Sequence, residues 1–255
     1  MTQALDYSPA PGAAPAPRRM LNHARTEAFL WLRNGEQLLL ALVIPIAILI
    51  GAALVGDRLD LELATTAPSV LGLAVLSSGF TALAISTGFE RRYGVLERLA
   101  STPLTKSGLL LGKAVALLAI TGGQLIVLAV TSLALGWRPV FHPAAALVAI
   151  IAAALGLVAY SAWGLILAGT LRAEITLALG NLFYLVLLAG GAVLVPLRHY
   201  PETLQPWLQL LPTAAVGEAM RAAASGTALW WTLLILLAWA ILGLLIARKV
   251  FRWMS

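Results

Sequence analysis

Six apolar stretches, each close to the length that crosses a hydrocarbon core as a helix, occupy most of this 255-residue chain. They run roughly from Gln37 to Val55, Ser69 to Gly88, Ala114 to Leu135, Ala144 to Leu171, Thr176 to Val195 and Ala228 to Ala247. Composition points the same way: 60% of residues are hydrophobic and 11% charged, far from the balance of a soluble domain. The expected fold is an all-α integral membrane protein with six transmembrane helices.

Basic residues set the orientation, because they are costly to translocate and collect on the cytoplasmic side. With an even number of spans both termini share one side. If that side is the cytoplasm, all of the 17 Lys and Arg lie inside except Arg58, Arg138, Arg198 and Arg221. Topology and attraction to anionic membrane lipids therefore account for the net charge of +6, and no nucleic acid is needed as a partner.

Residues 1–17 form a Pro/Ala-rich tail without the apolar core of a signal peptide, expected to be disordered. Beyond it, Leu21, Ala24, Ala28, Trp31 and Leu32 share one helical arc, while Arg19, Asn22, Thr26 and Arg33 face elsewhere. This pattern predicts a helix over residues 18–34 lying in the cytoplasmic interface, with Trp31 as an anchor. The remaining residues, 18–255, make one membrane domain.

Several chemistries lack their residues. Cysteine is absent, and His23, His142 and His199 are scattered over both sides, so no metal site is expected. Gly108-Leu-Leu-Leu-Gly112-Lys113-Ala114 imitates a phosphate-binding loop but has three residues between its glycines and alanine in place of the magnesium-ligating hydroxyl. Ile120-Thr-Gly-Gly-Gln124 lies inside an apolar span, out of reach of nucleotide. Both are read as helix packing through small residues, so the chain carries no ATPase of its own. Ion-coupled carriers place ionisable residues within their spans, whereas here Glu36, Asp57, Glu90, Glu174 and Glu218 sit at or beyond span ends. No G-x-S-x-G, H-E-x-x-H or aspartate-rich pair supports an intramembrane enzyme. The span interiors offer neutral polar groups, Ser77, Ser78, Thr81, Gln124, Tyr160, Ser161 and Asn181, whose ordinary use is bonding helix to helix and whose less common use is lining a pathway.

Against this apolar background stands a polar island, Glu90-Arg-Arg-Tyr-Gly-Val-Leu-Glu-Arg-Leu-Ala-Ser-Thr-Pro103, followed by Lys106 and Lys113. The segment from Phe89 to Lys113 resembles the cytoplasmic loop of type 2 ABC exporter permeases, where an E-R-x-x-G-T-L-E-x-L-x-x-T-P pattern precedes the third span. Val95 stands where threonine is common. A second stretch, Leu204-Gln-Pro-Trp-Leu-Gln-Leu-Leu-Pro212 followed by Glu218-Ala-Met-Arg221, is similar to the family's segment between spans five and six. The resemblance implies a short coupling helix docking on an ATP-binding subunit. Gly94 and Pro103 bracket such a helix, in which Val95, Leu96 and Leu99 would present an apolar contact rimmed by Glu97 and Arg98. Glu90, Arg91 and Arg92, with Glu97 and Arg98, are expected to make the polar contacts to that partner or to the interfacial helix.

Pro201, Pro206 and Pro212 interrupt the segment from Leu197 to Thr227, so it is expected to form short re-entrant or interfacial helices that lid or plug the outer end of the pathway. Trp207, Glu218 and Arg221 are the gate candidates, the last two pairing across one turn. Pro45 and the pair Gly190-Gly191 mark places of bending or close packing.

The resemblance further implies a permease without cofactor, working with two ABC ATPase subunits that hold ATP and Mg, and with a second permease chain, identical or sister. Cargo is expected to be an amphipathic drug, antibiotic or lipid, with polysaccharide and haem left open, and the setting a bacterial inner membrane with both termini cytoplasmic. Arginine far outnumbers lysine and Ala and Leu abound, which suggests a high-GC bacterium. An ion-driven carrier or channel and an intramembrane enzyme or assembly factor are the alternatives.

Overall fold

The computed structural model describes residues 12, 14–59 and 62–251, and every regular element among them is helical. The tail expected over residues 1–17 falls mostly outside the described residues. Helix α1 spans Ala16–Arg33, opening with Pro17 in its first turn, where a missing N–H costs nothing. Helix α2 spans Gly35–Leu59 and runs through Pro45. The second crossing is one continuous rod, Leu63–Arg92, built from α3 (Leu63–Leu76), a π-helical turn (Ser77–Ala82) and α4 (Leu83–Arg92). It exceeds the predicted Ser69 to Gly88 at both ends.

A short helix α5 (Val95–Ala100) leads into α6 (Lys106–Ala134), then α7 (Pro143–Thr170) and α8 (Ala173–Gly190). A 3-10 turn (Leu197–His199), α9 (Gln205–Leu208) and α10 (Pro212–Ala224) precede α11 (Trp231–Val250). Five of these rods are long and apolar enough to cross a membrane: Leu63–Arg92, Gly108–Ala134, Pro143–Thr170, Ala173–Gly190 and Trp231–Val250. The first expected crossing coincides with α2, of which Ala41–Gly56 is an apolar stretch.

Span five stops at Gly190, five residues before its expected end at Val195. Gly191 is the cap, its N–H donating to the Leu187 carbonyl at 2.8 Å, and Ala192 then adopts φ 54°, a left-handed conformation that ends the helix. Only glycine fits at the cap, since a Cβ there would stand 2.4 Å from the Leu187 carbonyl oxygen and 2.7 Å from Thr213 Oγ1. Of the glycine pair, Gly191 is therefore a contact, while Gly190 meets nothing within 4 Å.

The rod Leu63–Arg92 is the most enclosed crossing and forms the centre of the bundle. Leu73, Val75, Leu76 and Phe80 pack with Leu157 and Tyr160 of α7, Val216 and Met220 of α10 and Leu236 of α11. Lipid tails compete with apolar side chains on equal terms, so such a centre depends on close fit more than on escape from water. Glycines supply that fit: a Cβ at Gly156 would meet Val216 Cγ2 at 2.6 Å, and one at Gly164 would meet the Phe80 carbonyl oxygen at 2.8 Å. The re-entrant helix α10 is thus seated inside the bundle between α3, α7 and α11, and not merely laid across its end.

Candidate functional site

The polar island folds as a helix end, a hairpin bend and a second helix. Helix α4 stops at Tyr93, and Gly94 takes φ 68°, the left-handed cap position where glycine is favoured. Its N–H donates to the Arg91 carbonyl at 3.2 Å, and α5 starts at once. Ser101 Oγ and Thr102 Oγ1 return hydrogen bonds to the carbonyls of Arg98 and Leu99, closing α5, and Thr105 Oγ1 accepts from Gly108 N to cap α6.

The residues predicted to face a partner do not all do so. Glu90, Arg91 and Arg92 are used within the chain. Lys113 Nζ donates to Glu90 Oε1 at 2.7 Å and to Glu27 Oε2 at 3.1 Å, so one lysine on α6 ties the end of α4 to α1. Arg91 donates to the Ala168 carbonyl near the end of α7 at 2.8 Å, and Arg92 pairs with Glu174 at the start of α8. Val95, Glu97 and Arg98 face outward with Tyr93, and Glu97 and Arg98 make no ion pair among the described residues.

Leu96 is a correction. It was expected on the partner-facing surface, yet it is 1% exposed. On a helix of six residues one side must seat against the body of the protein, and Leu96 is that seat. Leu99 is half-buried beside it, leaving Val95 as the exposed apolar contact. Pro103 is held from below, its carbonyl accepting from Arg19 Nη1 of α1.

Helix α1 also turns differently from its predicted amphipathic face. Its buried side carries His23, Ala24 and Glu27 against α6, while Leu21 and Leu32, expected on the same face as Ala24, are exposed along with Phe29. Ion pairing explains the rotation: Glu27 must reach Lys113, and His23 Nε2 lies 3.6 Å from Glu27 Oε1. Gly112 makes the approach possible, since a Cβ there would stand 2.6 Å from His23 Cδ2. Of the false phosphate loop, Gly112 is therefore a packing residue between helices, as predicted, whereas Gly108 meets only Leu104 and Thr105 at the start of its own helix. The glycines of Ile120-Thr-Gly-Gly-Gln124 do not pack within the described residues, because Gly122 and Gly123 meet nothing within 4 Å. Burial pulls the His23 pKa below its ordinary value of 6.5, with Glu27 opposing and Lys113 reinforcing that shift.

Sequence reasoning missed the centre of this cluster. In sequence Lys113 belongs to the phosphate-loop imitation, and nothing local pairs it with Glu27. The available signal was that His23 and Glu27 lie one helical turn apart on α1, an unusual polar stripe for a helix bordering lipid.

The opposite end of the bundle holds the gate candidates. Arg221 is 8% exposed at its side chain and donates to Glu218 Oε1, Ser69 Oγ and the carbonyls of Ala192 and Val193, each at 2.8 Å. Glu218 Oε1 also accepts from Leu197 N at 2.9 Å. These bonds clamp α10 to α3 and to the irregular strap 191–199 that follows span five. Ser69, at the end of this network, was beyond sequence reasoning because nothing local marks it. Trp207 does not join: it is 71% exposed on α9.

The pathway candidates do not converge. Ser78 Oγ donates to Gln124 Oε1 at 2.7 Å and Gln124 Nε2 to the Ala41 carbonyl at 2.8 Å, binding span two, α6 and α2. Tyr160 donates to the Pro212 carbonyl at 3.1 Å. Ser77 is half-buried, and Thr81 Oγ1 and Ser161 Oγ are buried with no partner among the described residues. Asn181 is exposed on α8.

A helical membrane bundle with a braced short helix at one end and a helix seated among the crossings at the other agrees with what comparison with known families finds. A family model described as ABC-2 family transporter protein matches residues 61–249. The chain belongs to the ABC-2 transporter family. No curated protein matches it. Membership makes this ABC-2 protein a multi-pass transport subunit that works with ABC ATPase subunits. The matched residues include Glu90, Lys113, Glu218 and Arg221, whereas Glu27 and the whole of α1 lie outside them.

Proposed function

We propose that this ABC-2 permease is the membrane part of an ATP-driven exporter that moves an amphipathic drug, antibiotic or lipid-like molecule out of the cytoplasm or inner leaflet. In this reading α2 is a sixth crossing, both termini are cytoplasmic in a bacterial inner membrane, and two permease chains face each other over two ATPases holding ATP and Mg. The observation that carries the reading is the seating of α5. Its inner side is fixed by Leu96, and its neighbours are bonded to α1, α6, α7 and α8, so a push on Val95, Glu97 and Arg98 is delivered to span two.

Span two then has a mechanical role. Glu90 at one end and Ser69 near the other are separated by about 30 Å of helix, which is the thickness of the hydrocarbon core. Ser69 bonds directly to Arg221. Motion at the coupling helix thus has a continuous covalent route to the clamp on α10. The π-turn at Ser77–Ala82 sits midway, where an altered hydrogen-bond register gives the rod a place to adjust. Asn181 supports a second permease chain: α8 is the least buried of the qualifying crossings, and a polar amide facing lipid is costly without a partner.

The experiment is recovery of the tagged protein from its native membrane in mild detergent, with partners identified by mass spectrometry and ATP hydrolysis assayed. The expected result is a stoichiometric ABC ATPase that is lost in the double variant Val95→Ser, Arg98→Glu. Recovery of the chain alone, without nucleotide turnover, overturns the exporter reading in favour of an ion-driven carrier.

A further inference from the structure

A cavity of about 260 Å³ opens at the end of the bundle opposite α5, between α2, the first turn of α3 and the strap that follows span five. Its polar lining consists of Glu62, Thr65, Thr66, Arg198 and His199, over an apolar wall that includes Ile48. The volume falls below the range of about 300–1,000 Å³ usual for drug-sized ligands, so this is no cargo chamber. A headgroup-sized molecule suits it.

The polar groups are unspent. Thr66 is only 6% exposed, and its hydroxyl, which makes no hydrogen bond among the described residues, is left open on the cavity it lines, where a ligand can bond it. Glu62 caps the start of α3 without bonding its N–H groups through the side chain, and it forms no ion pair among the described residues. Arg198 also lacks a carboxylate partner among them, and its one side-chain bond is a long contact of 3.4 Å from Nε to His199 Nε2. A carboxylate and a guanidinium therefore face one small cavity without closing on each other. Two such charges held apart match a ligand that carries both signs.

We infer that this cavity is a binding site for a zwitterion of the phosphoethanolamine type, its ammonium on Glu62 and its anionic group on Arg198 and the Thr66 hydroxyl. Occupancy joins the first turn of α3 to the strap 191–199, in which Ala192 and Val193 are already held by Arg221 and Leu197 by Glu218. The ligand thereby adds a second brace to the closed clamp. The site does not depend on the exporter reading, since it uses only the geometry of this end of the bundle.

The test uses the purified full-length protein in nanodiscs and follows its thermal unfolding. Two sources can supply the chemistry. Stabilisation in phosphatidylethanolamine over phosphatidylglycerol, with none from soluble O-phosphoethanolamine, assigns the site to a lipid headgroup. Saturable stabilisation by soluble O-phosphoethanolamine in phosphatidylglycerol discs assigns it to a free zwitterion. In either case Glu62→Gln and Arg198→Gln each weaken the response about tenfold or more, the loss of one charge-assisted hydrogen bond. Arg138→Gln, an exposed charge elsewhere on the same end, leaves it unchanged. Equal stabilisation by phosphatidylglycerol, or a response that survives in both cavity variants, overturns the proposal. So does the absence of any response in the wild type.

Discussion

The two ends of the bundle are both held by a buried cation, but the cations bond to different things. At the α5 end Lys113 joins two carboxylates from two other helices, Glu27 and Glu90, and every partner is a side chain. At the opposite end Arg221 meets one carboxylate and spends its remaining donors on Ser69 Oγ and two backbone carbonyls. The planar guanidinium matches the fixed positions of carbonyls, whereas an ammonium on a flexible stem tolerates movement of its partners. The difference teaches which end is built to move. A joint of side chains can slide and re-form, while a fork locked into backbone opens only when the strap 191–199 leaves.

Breaking the rigid joint should have the largest effect. Arg221→Met removes four acceptors' partner at once and leaves Glu218 without its counter-ion at 22% exposure. The expected loss is about 3 kcal/mol or more in unfolding free energy, the scale for breaking a buried pair from one side. Arg221→Lys recovers little of it, because one ammonium cannot serve the Ala192 and Val193 carbonyls, Ser69 and Glu218 together. Denaturation of both variants in one detergent checks this, and full recovery by lysine would erase the distinction between the two ends.

Breaking the side-chain joint should cost less. Lys113→Met leaves Glu27 and Glu90 facing each other without a cation, but both are about one-fifth exposed and can take water. The expected loss is about 1–3 kcal/mol, concentrated in the docking of α1. Hydrogen exchange over residues 16–33 should rise while that of α10 stays unchanged. The triple variant with Glu27→Gln and Glu90→Gln should restore part of the protection, since it removes the stranded charges.

How much of this was legible follows the range of the interactions. Crossing rods, the short helices between α8 and α11 and the short helix α5 are written locally, in runs of apolar residues, in three prolines and in Gly94 ahead of Val95. The facing of each element is not. Leu96 and Val95 are both apolar neighbours on a six-residue helix, and only the body beneath α5 decides which is buried. Ser69 and Arg221 are 152 positions apart, so no window of sequence joins them. The rotation of α1 is the clearest case: its apolar arc promised a lipid-facing helix, and one buried lysine 86 residues away turned it.

The pH response should separate the two ends at smaller amplitude. His23 is held below its ordinary pKa of 6.5, chiefly by burial, so the folded protein binds its proton less readily than the unfolded chain. Its contribution is complete above about pH 6.5 and is lost as pH falls through the lowered folded value. Exchange over residues 16–33 should therefore quicken on acidification through this window, and His23→Asn should flatten the response. Exchange over α10 should not follow His23, since no histidine touches Arg221 among the described residues. A parallel change at α10 would mean that the two joints are coupled at rest.

The smallest effect on stability should come from the residues with the largest proposed role in function. Val95, Glu97 and Arg98 are exposed, and neither charge is paired among the described residues, so Val95→Ser with Arg98→Glu should change unfolding free energy by about 0.5 kcal/mol or less. The same variant should lose the ATPase on purification. Leu96→Ala is the opposite instrument: it empties the seat of α5 and should cost about 2 kcal/mol or more while leaving the outward residues chemically intact. If Leu96→Ala keeps the ATPase bound but uncouples hydrolysis from transport, the seat transmits force and the outer face only grips. If the two variants behave alike, seat and grip are one function, and the α5 end is as rigid in use as the clamp around Arg221.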